Sequence, residues 1–148
     1  TFPFLVAIVA MLVNSWHSDK TGERRGHVAV PFALGGIFLL VGVALSQSSP
    51  VLAFVFVCLT SIGTYGPLGP FWAIPTEMLP RNVAATTMGV ITAVGSLGGF
   101  FGPVAIGYLN KQEGNFQHGF GLIGVVLLVI SVLCLRINSV REIMAAGT

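Results

Sequence analysis

Charge is the scarcest commodity in this sequence. Asp, Glu, Lys and Arg supply 8% of its 148 residues, where a water-soluble domain carries about 25%. With 54% hydrophobic residues and a mean hydropathy of +0.90, a soluble core is excluded. The net charge of +2 is small and dispersed, so no electrostatic footprint for nucleic acid is expected. Cysteine is nearly absent too. Cys58 and Cys134 make no disulfide framework. The topology argued below puts them toward opposite faces of a membrane, too far apart at about 1.5 Å of rise per residue to bond, so both read as packing residues. Metal-ligand spacings, nucleophile triads and phosphate-binding glycine loops are missing. His17 and His27 read as loop residues ten apart and His118 falls on the other side. No metal, no cofactor and no enzymatic activity are expected. The chain opens Thr-Phe-Pro, without an initiator Met, basic n-region or cleavage site. The expectation is an internal cut through a larger protein rather than a signal peptide.

What the sequence has instead is long uncharged runs. Val28 to Ser46 gives 19 residues, Val51 to Pro75 gives 25, Val83 to Leu109 gives 27 and Gly119 to Leu135 gives 17. A spanning helix needs about 20, range 17 to 25. Barrel strands would be about ten residues of alternating polarity, and these runs do not alternate. Lipid leaves backbone groups no outside partner, so the runs must be helical. The expected fold is all-α and membrane-embedded: four complete transmembrane helices plus the end of a fifth, over about 1–16, 28–46, 51–75, 83–109 and 117–137. Phe116 or Ile137 could extend the last. Connections are short, leaving no room for a soluble domain. One side collects Lys20, Arg24, Arg25, Arg81, Arg136 and Arg141, and the other only Lys111. That asymmetry predicts a multi-pass protein of the cell (inner or plasma) membrane, with the 17–27 and 76–82 loops and the C-terminus in the cytoplasm.

The stretch "HSDKTGERRGH", residues 17 to 27, holds five of the chain's twelve charges. Any inner loop gathers Lys and Arg, but the order is specific: Asp19, Lys20, Gly22, Arg24 and Arg25 follow D-[RK]-x-G-x-[RK]-[RK]. This resembles the signature loop of the major facilitator superfamily, with Ser15 replacing its first Gly and Glu23 the first of two basic residues. The Glu23 variant is similar to that of the anion:cation symporter branch. A second stretch agrees. "FWAIPTEMLPRNVAATTMGVITAVGSLGGFFGP", Phe71 to Pro103, resembles that branch's tenth and eleventh helices, with Gly95, Leu97, Gly98, Gly99, Phe100, Gly102 and Pro103 on pattern. Ser96 and Thr92 stand where relatives associated with tartrate-type substrates often have Asn.

The resemblance implies a twelve-helix transporter in two six-helix halves, this chain being helices eight to twelve, most of the second half. It implies that Asp19 clamps the start of the eleventh helix and holds the cytoplasmic gate closed. Asn82 could cap that helix. Gly22 would permit a tight turn, and Lys20, Arg24 and Arg25 would donate to carboxylates such as Glu77, for which Arg81 four residues on is a second partner. A solvated loop is the plain alternative.

Within the tenth helix, Gly63, Gly66 and Gly69 precede or interleave Pro67, Pro70 and Pro75, a pattern of kinks where transporters build sites. Tyr65 and Trp72, seven apart, would share a face and could wall a cavity, although Trp72 could equally be an interfacial anchor. In the eleventh, Gly95-x-x-x-Gly99 and Gly98-x-x-x-Gly102 favour close helix packing. Thr92 and Ser96 could bind a ligand or bond back to their own helix. No Asp, Glu, Lys, Arg or His lies inside the four uncharged runs, so substrate-charge and coupling groups would sit mainly in the N-terminal half. The implied function is secondary active transport of a small organic anion, a carboxylate, by alternating access coupled to a proton or sodium ion. The rival is a non-transporting accessory membrane subunit, which the sequence upstream would distinguish. An intramembrane enzyme is weakest, since the spans hold no paired catalytic groups.

Overall fold

The computed structural model describes residues 2–113 and 116–136. Six helices follow one another: α1 (Phe2–Thr21), α2 (Arg25–Leu45), α3 (Pro50–Tyr65), α4 (Leu68–Met78), α5 (Arg81–Glu113) and α6 (Phe116–Arg136). No strand occurs among the described residues. Four segments are long and apolar enough to cross a membrane: Arg25–Leu45, Pro50–Met78, Arg81–Tyr108 and Gln117–Arg136. Arg141, Asn115 and the segment beyond Arg136 lie outside the described residues.

The apolar run from Val51 to Pro75 is two helices and not one. Gly66 N–H closes α3 on Ile62 O at 2.8 Å, and Phe71 N–H restarts the ladder on Pro67 O at 2.9 Å. Pro67 and Pro70 supply no N–H, so two rungs are missing within four residues and the axis must break there.

α2 sits at the centre, packed most extensively against α3 and α6. Glycines make this possible, because without interhelical hydrophobic drive in lipid, close backbone approach supplies the dispersion energy. A Cβ on Gly35 would lie 2.7 Å from Gly63 Cα, and one on Gly36 would lie 2.8 Å from Gly124 O. Val28, Ala29 and Leu39, on either side of these contacts along α2, are buried. Ser131 of α6 donates to Ala29 O at 2.8 Å, and Gln117 Nε2 bonds Ser46 Oγ at the other end of the same pair.

α5 is different. Across its candidate span, none of the most apolar window is buried, and Ala84 is its one buried hydrophobic residue among those described. Phe100 is 67% exposed, with Val94 and Phe101 close behind. Around Gly95, Gly98, Gly99 and Gly102 there is open space. The helix-packing glycines that the GxxxG spacing predicts on α5 therefore meet no neighbour among the described residues. Those that do pack lie on α2, α3, α4 and α6.

Candidate functional site

The α1–α2 turn, the end of α4, the start of α5 and the end of α6 share one end of the bundle, so Lys20, Arg24, Arg25, Arg81 and Arg136 gather there while Lys111 falls at the other. Three residues join α1 to α2. Gly22 makes the turn at φ 64°, a left-handed conformation that costs other residues roughly 1–2 kcal/mol. Its N–H bonds Ser18 O at 2.9 Å. Ser18, fully buried, donates its hydroxyl to Glu23 O at 2.7 Å. Glu23 then accepts Gly26 N–H at 2.8 Å, covering one orphan donor at the start of α2.

Arg24 is the hub. Its Nη1 donates to Asp19 Oδ1 at 2.5 Å and to Ser18 Oγ at 3.0 Å. Its Nη2 donates to Glu77 Oε1, and its Nε reaches both Glu77 oxygens at 3.2 and 3.4 Å. The planar fork suits this bridging, which a lysine could not match. The Arg24 side chain is 12% exposed, against 67% for Asp19 and 43% for Glu77. The hydrogen bonds it donates to Glu77, against the cost of burial and with help from Asp19, hold the guanidinium even more firmly protonated than usual. The turn is thereby tied to the last turn of α4.

Several sequence expectations change here. The resemblance places Asp19 at the start of the eleventh helix, whereas its carboxylate is held by Arg24, two residues past the turn glycine. α5 opens at Arg81, two residues earlier than Val83, because Leu79 is extended before Pro80. Val83 and Ala84 N–H both bond Pro80 O at 2.9 Å, so Asn82 lies inside the helix and does not cap it. Glu77 goes to Arg24 and not to Arg81, which is exposed. Lys20 lies over the Trp16 ring at 5.2 Å from its centroid. Arg25 Nε is buried with no hydrogen-bond partner.

The expected cavity residues do not assemble either. Tyr65 and Trp72 fall on opposite sides of the α3–α4 break, so seven-residue spacing no longer means a shared face. Tyr65 packs on Phe4 and Trp72 on Phe71. Thr92 Oγ1 bonds back to Met88 O at 2.8 Å and Ser96 Oγ to Thr92 O at 2.9 Å. Both lie on the open face of α5.

A cavity of about 640 Å³ does exist, between α1, α2 and the end of α3, with Asn14 and His17 as the polar side chains in an otherwise apolar lining. Asn14 has a specific task. Pro31 lacks the N–H that would bond His27 O, and Pro70 lacks the one that would bond Gly66 O. Asn14 Nδ2 donates to both freed carbonyls, at 2.8 Å each. One amide group thus offsets two proline defects on two helices. At the next residue, Ser15 Oγ occupies the space a Gly69 side chain would need. The first signature glycine is absent from α1, and the small residue at that crossing is on α4 instead.

His17 and His27, far from being loop residues, lie on α1 and α2 and touch: His17 Nδ1 is 2.6 Å from His27 Nε2. His27 Nδ1 is 2.9 Å from Glu23 Oε2. Burial would raise the Glu23 carboxyl, but the bonds from Gly26 N–H and His27 hold it below its usual range. Among the described residues, no group of three or more His, Cys, Asp and Glu side chains is placed to hold a metal ion.

Helices of this length and polarity around a glycine-packed centre, with an Arg-bridged turn at one end, define a multi-pass membrane protein. Comparison with known proteins names the kind: the profile of the Major Facilitator Superfamily matches residues 1–146, and the chain belongs to that superfamily of transporters. It is 34% identical over 138 residues to a protein of Agrobacterium vitis named "Putative tartrate transporter", covering 92% of this chain and 31% of that one. It is 28% identical to the quinolone resistance transporter of Acinetobacter baumannii, over 86% of this chain and 29% of that one. Against the D-galactonate transporter of Escherichia coli O6:H1 it is 26% identical, over 87% of this chain and 31% of that one. The chain thus spans about a third of the length of these curated relatives.

Proposed function

We propose that this chain forms most of the second half of a secondary active transporter for a small organic carboxylate, coupled to a proton or sodium ion and working by alternating access. The observation that carries the mechanism is the Arg24 bridge between Asp19 and Glu77. It fastens the α1–α2 turn to the end of α4, so the corner from which α5 starts cannot leave the turn without breaking hydrogen bonds between charged groups. Asp19 acts on the α5 corner through Arg24, not by direct contact with its first turn. The bridged end faces the cytoplasm, as the Lys/Arg asymmetry favours. The unpacked face of α5, with Thr92 and Ser96 on it, is then the face turned toward the rest of the transporter. The substrate class rests on relatives named for tartrate and D-galactonate. Their names differ, so the particular acid is left as a class.

The test is uptake of labelled tartrate and galactonate by the purified full-length protein in liposomes, under imposed proton or sodium gradients. Saturable, gradient-driven uptake is expected, and its absence for every carboxylate tried would sink the substrate class. Arg24→Gln should slow uptake by roughly ten-fold or more, since hydrogen bonds to charged groups contribute about 1.5–3 kcal/mol. Wild-type rates in that variant would refute the clamp. In cells, a cysteine at Ser48 should react with an impermeant thiol reagent from outside and one at Thr21 should not.

A further inference from the structure

We infer that His17 and His27 form a single proton-binding site that holds the facing sides of α1 and α2 together next to the turn in its neutral and singly protonated forms and lets them part when a second proton binds. The argument is one of counting hydrogens. His17 Nδ1 and His27 Nε2 are 2.6 Å apart, with ring centroids at 4.9 Å. Two lone pairs or two N–H groups cannot face each other at that distance, so one proton lies between them. His27 Nδ1 faces a Glu23 carboxylate oxygen at 2.9 Å. An ionised carboxylate only accepts, so His27 Nδ1 carries a hydrogen. In the neutral pair His27 Nε2 is therefore the acceptor and His17 Nδ1–H the donor, which leaves His17 Nε2 bare.

A first added proton lands on His17 Nε2, and the bridging proton is then shared between the rings. Every bond survives, now charge-assisted and hence stronger. A second proton fills all four nitrogens. Two N–H groups on two cations then oppose each other, and the junction has to open.

The surrounding charges accommodate one proton and not two. On α1 these are Asp19 and Lys20. The turn contributes Glu23 and Arg24, the start of α2 Arg25, the end of α4 Glu77, the start of α5 Arg81 and the end of α6 Arg136. Asp19 and Glu77 are taken by Arg24, and Lys20 lies on Trp16. The carboxylate bonded to the pair is Glu23, a single negative charge. Being held below the usual carboxylate range, it stays ionised while imidazoles titrate. His17 also lines the 640 Å³ cavity, and one turn deeper Asn14 pins His27 O. With the turn still held by Ser18 and Arg24, release at the histidines would part the facing sides of α1 and α2 between the turn and Asn14 and widen that cavity. This reading does not depend on which substrate is carried.

The test uses full-length protein in detergent with spin labels at Trp16 and Val30, both on exposed positions of α1 and α2, in a background lacking Cys58 and Cys134. The inter-label distance is read from about pH 8 to about pH 4.5, the span over which imidazoles titrate. Nitrogen NMR of labelled histidine follows proton uptake in the same samples. We expect two separate uptake steps for the pair, a constant distance through the first and a lengthening with the second. His27→Gln should abolish the second step and hold the distance constant. A second label pair across α2 and α6, at Ile37 and Val132, should not move in either protein. Independent one-step titration of His17 and His27, or a wild-type distance unchanged to the end of the range, would overturn the proposal. So would lengthening that persists in His27→Gln.

Discussion

α2 and α5 are both glycine-bearing apolar helices of this chain, and they use glycine in opposite settings. On α2, Gly35 and Gly36 each face another backbone, so a single added carbon meets Gly63 Cα or Gly124 O within 3 Å. On α5, four glycines at packing-motif spacing have nothing within 4 Å. The glycines that the motif singles out are thus the ones without a neighbour here, while Gly35 and Gly36, adjacent and in no repeated pattern, carry the close crossings. A small-residue motif reports that a helix can be approached closely. What approaches it, and whether that partner is within the same chain, is a property of topology.

The largest effect should come from closing one of those crossings. Gly63→Ala puts a methyl onto Gly35 Cα and 2.7 Å from Pro31 O. Both obstacles are backbone and cannot rotate away, so the cost should reach the upper end of the overpacking range, about 3 kcal/mol. Gly98→Ala, in open space, should stay within about 0.5 kcal/mol. Thermal unfolding of the two variants in detergent measures the contrast. Equal stability would mean the α2–α3 crossing is looser than described. If Gly98→Ala is as stable as wild type but slower in transport, α5 meets its partner outside this chain.

An intermediate effect is expected at Asn14, where two helices share one amide. Asn14→Leu keeps bulk but leaves His27 O and Gly66 O without their donor. Each unsatisfied carbonyl costs about 1–3 kcal/mol when buried; with both only partly buried, a total of about 2 kcal/mol is expected. Restoring a proton donor to the ladder with Pro31→Ala should recover about half of that loss. No recovery would show that Asn14 acts through the cavity lining and not through the freed carbonyls.

Spans and their helical nature were legible because charge-free length is a direct consequence of bilayer thickness. The signature loop was legible because its order of charges is unusual in so apolar a chain. The partners within the loop were not. Asp19, Glu77 and three cations offer several pairings of equal sense on paper, and only the position of Arg24 at the start of α2 decides among them. Asn14 left a signal that spacing alone could have shown: Pro31 is four residues after His27 and Pro70 four after Gly66, so two carbonyls must look elsewhere. The histidine pair was hidden by treating residues 17 to 27 as a loop, when α1 runs on to Thr21 and α2 begins at Arg25. The α3–α4 break likewise dissolves the Tyr65–Trp72 face, since helical periodicity holds only along an unbroken helix.

The smallest expected effect separates the two helices at their first turns. α2 is covered by a side chain, Glu23 Oε1 accepting Gly26 N–H at 2.8 Å, whereas α5 relies on Pro80 O. Glu23→Gln should therefore cost about 0.5 kcal/mol, a helix-start contribution reduced by solvent exposure, and Asn82→Ala should cost nothing measurable. The pH dependence fixes the sign. The Glu23 carboxyl is held below its reference value of 4.5 in the folded chain, so in acid the unfolded chain binds the proton first and stability rises with pH there. The difference between wild type and Glu23→Gln should persist down to about pH 4.5 and close below it, as the folded carboxylate is finally protonated. Unfolding followed at a series of pH values for the three proteins reads this out. Equal stability of wild type and Glu23→Gln at every pH of the series would mean that Glu23 does not cap α2.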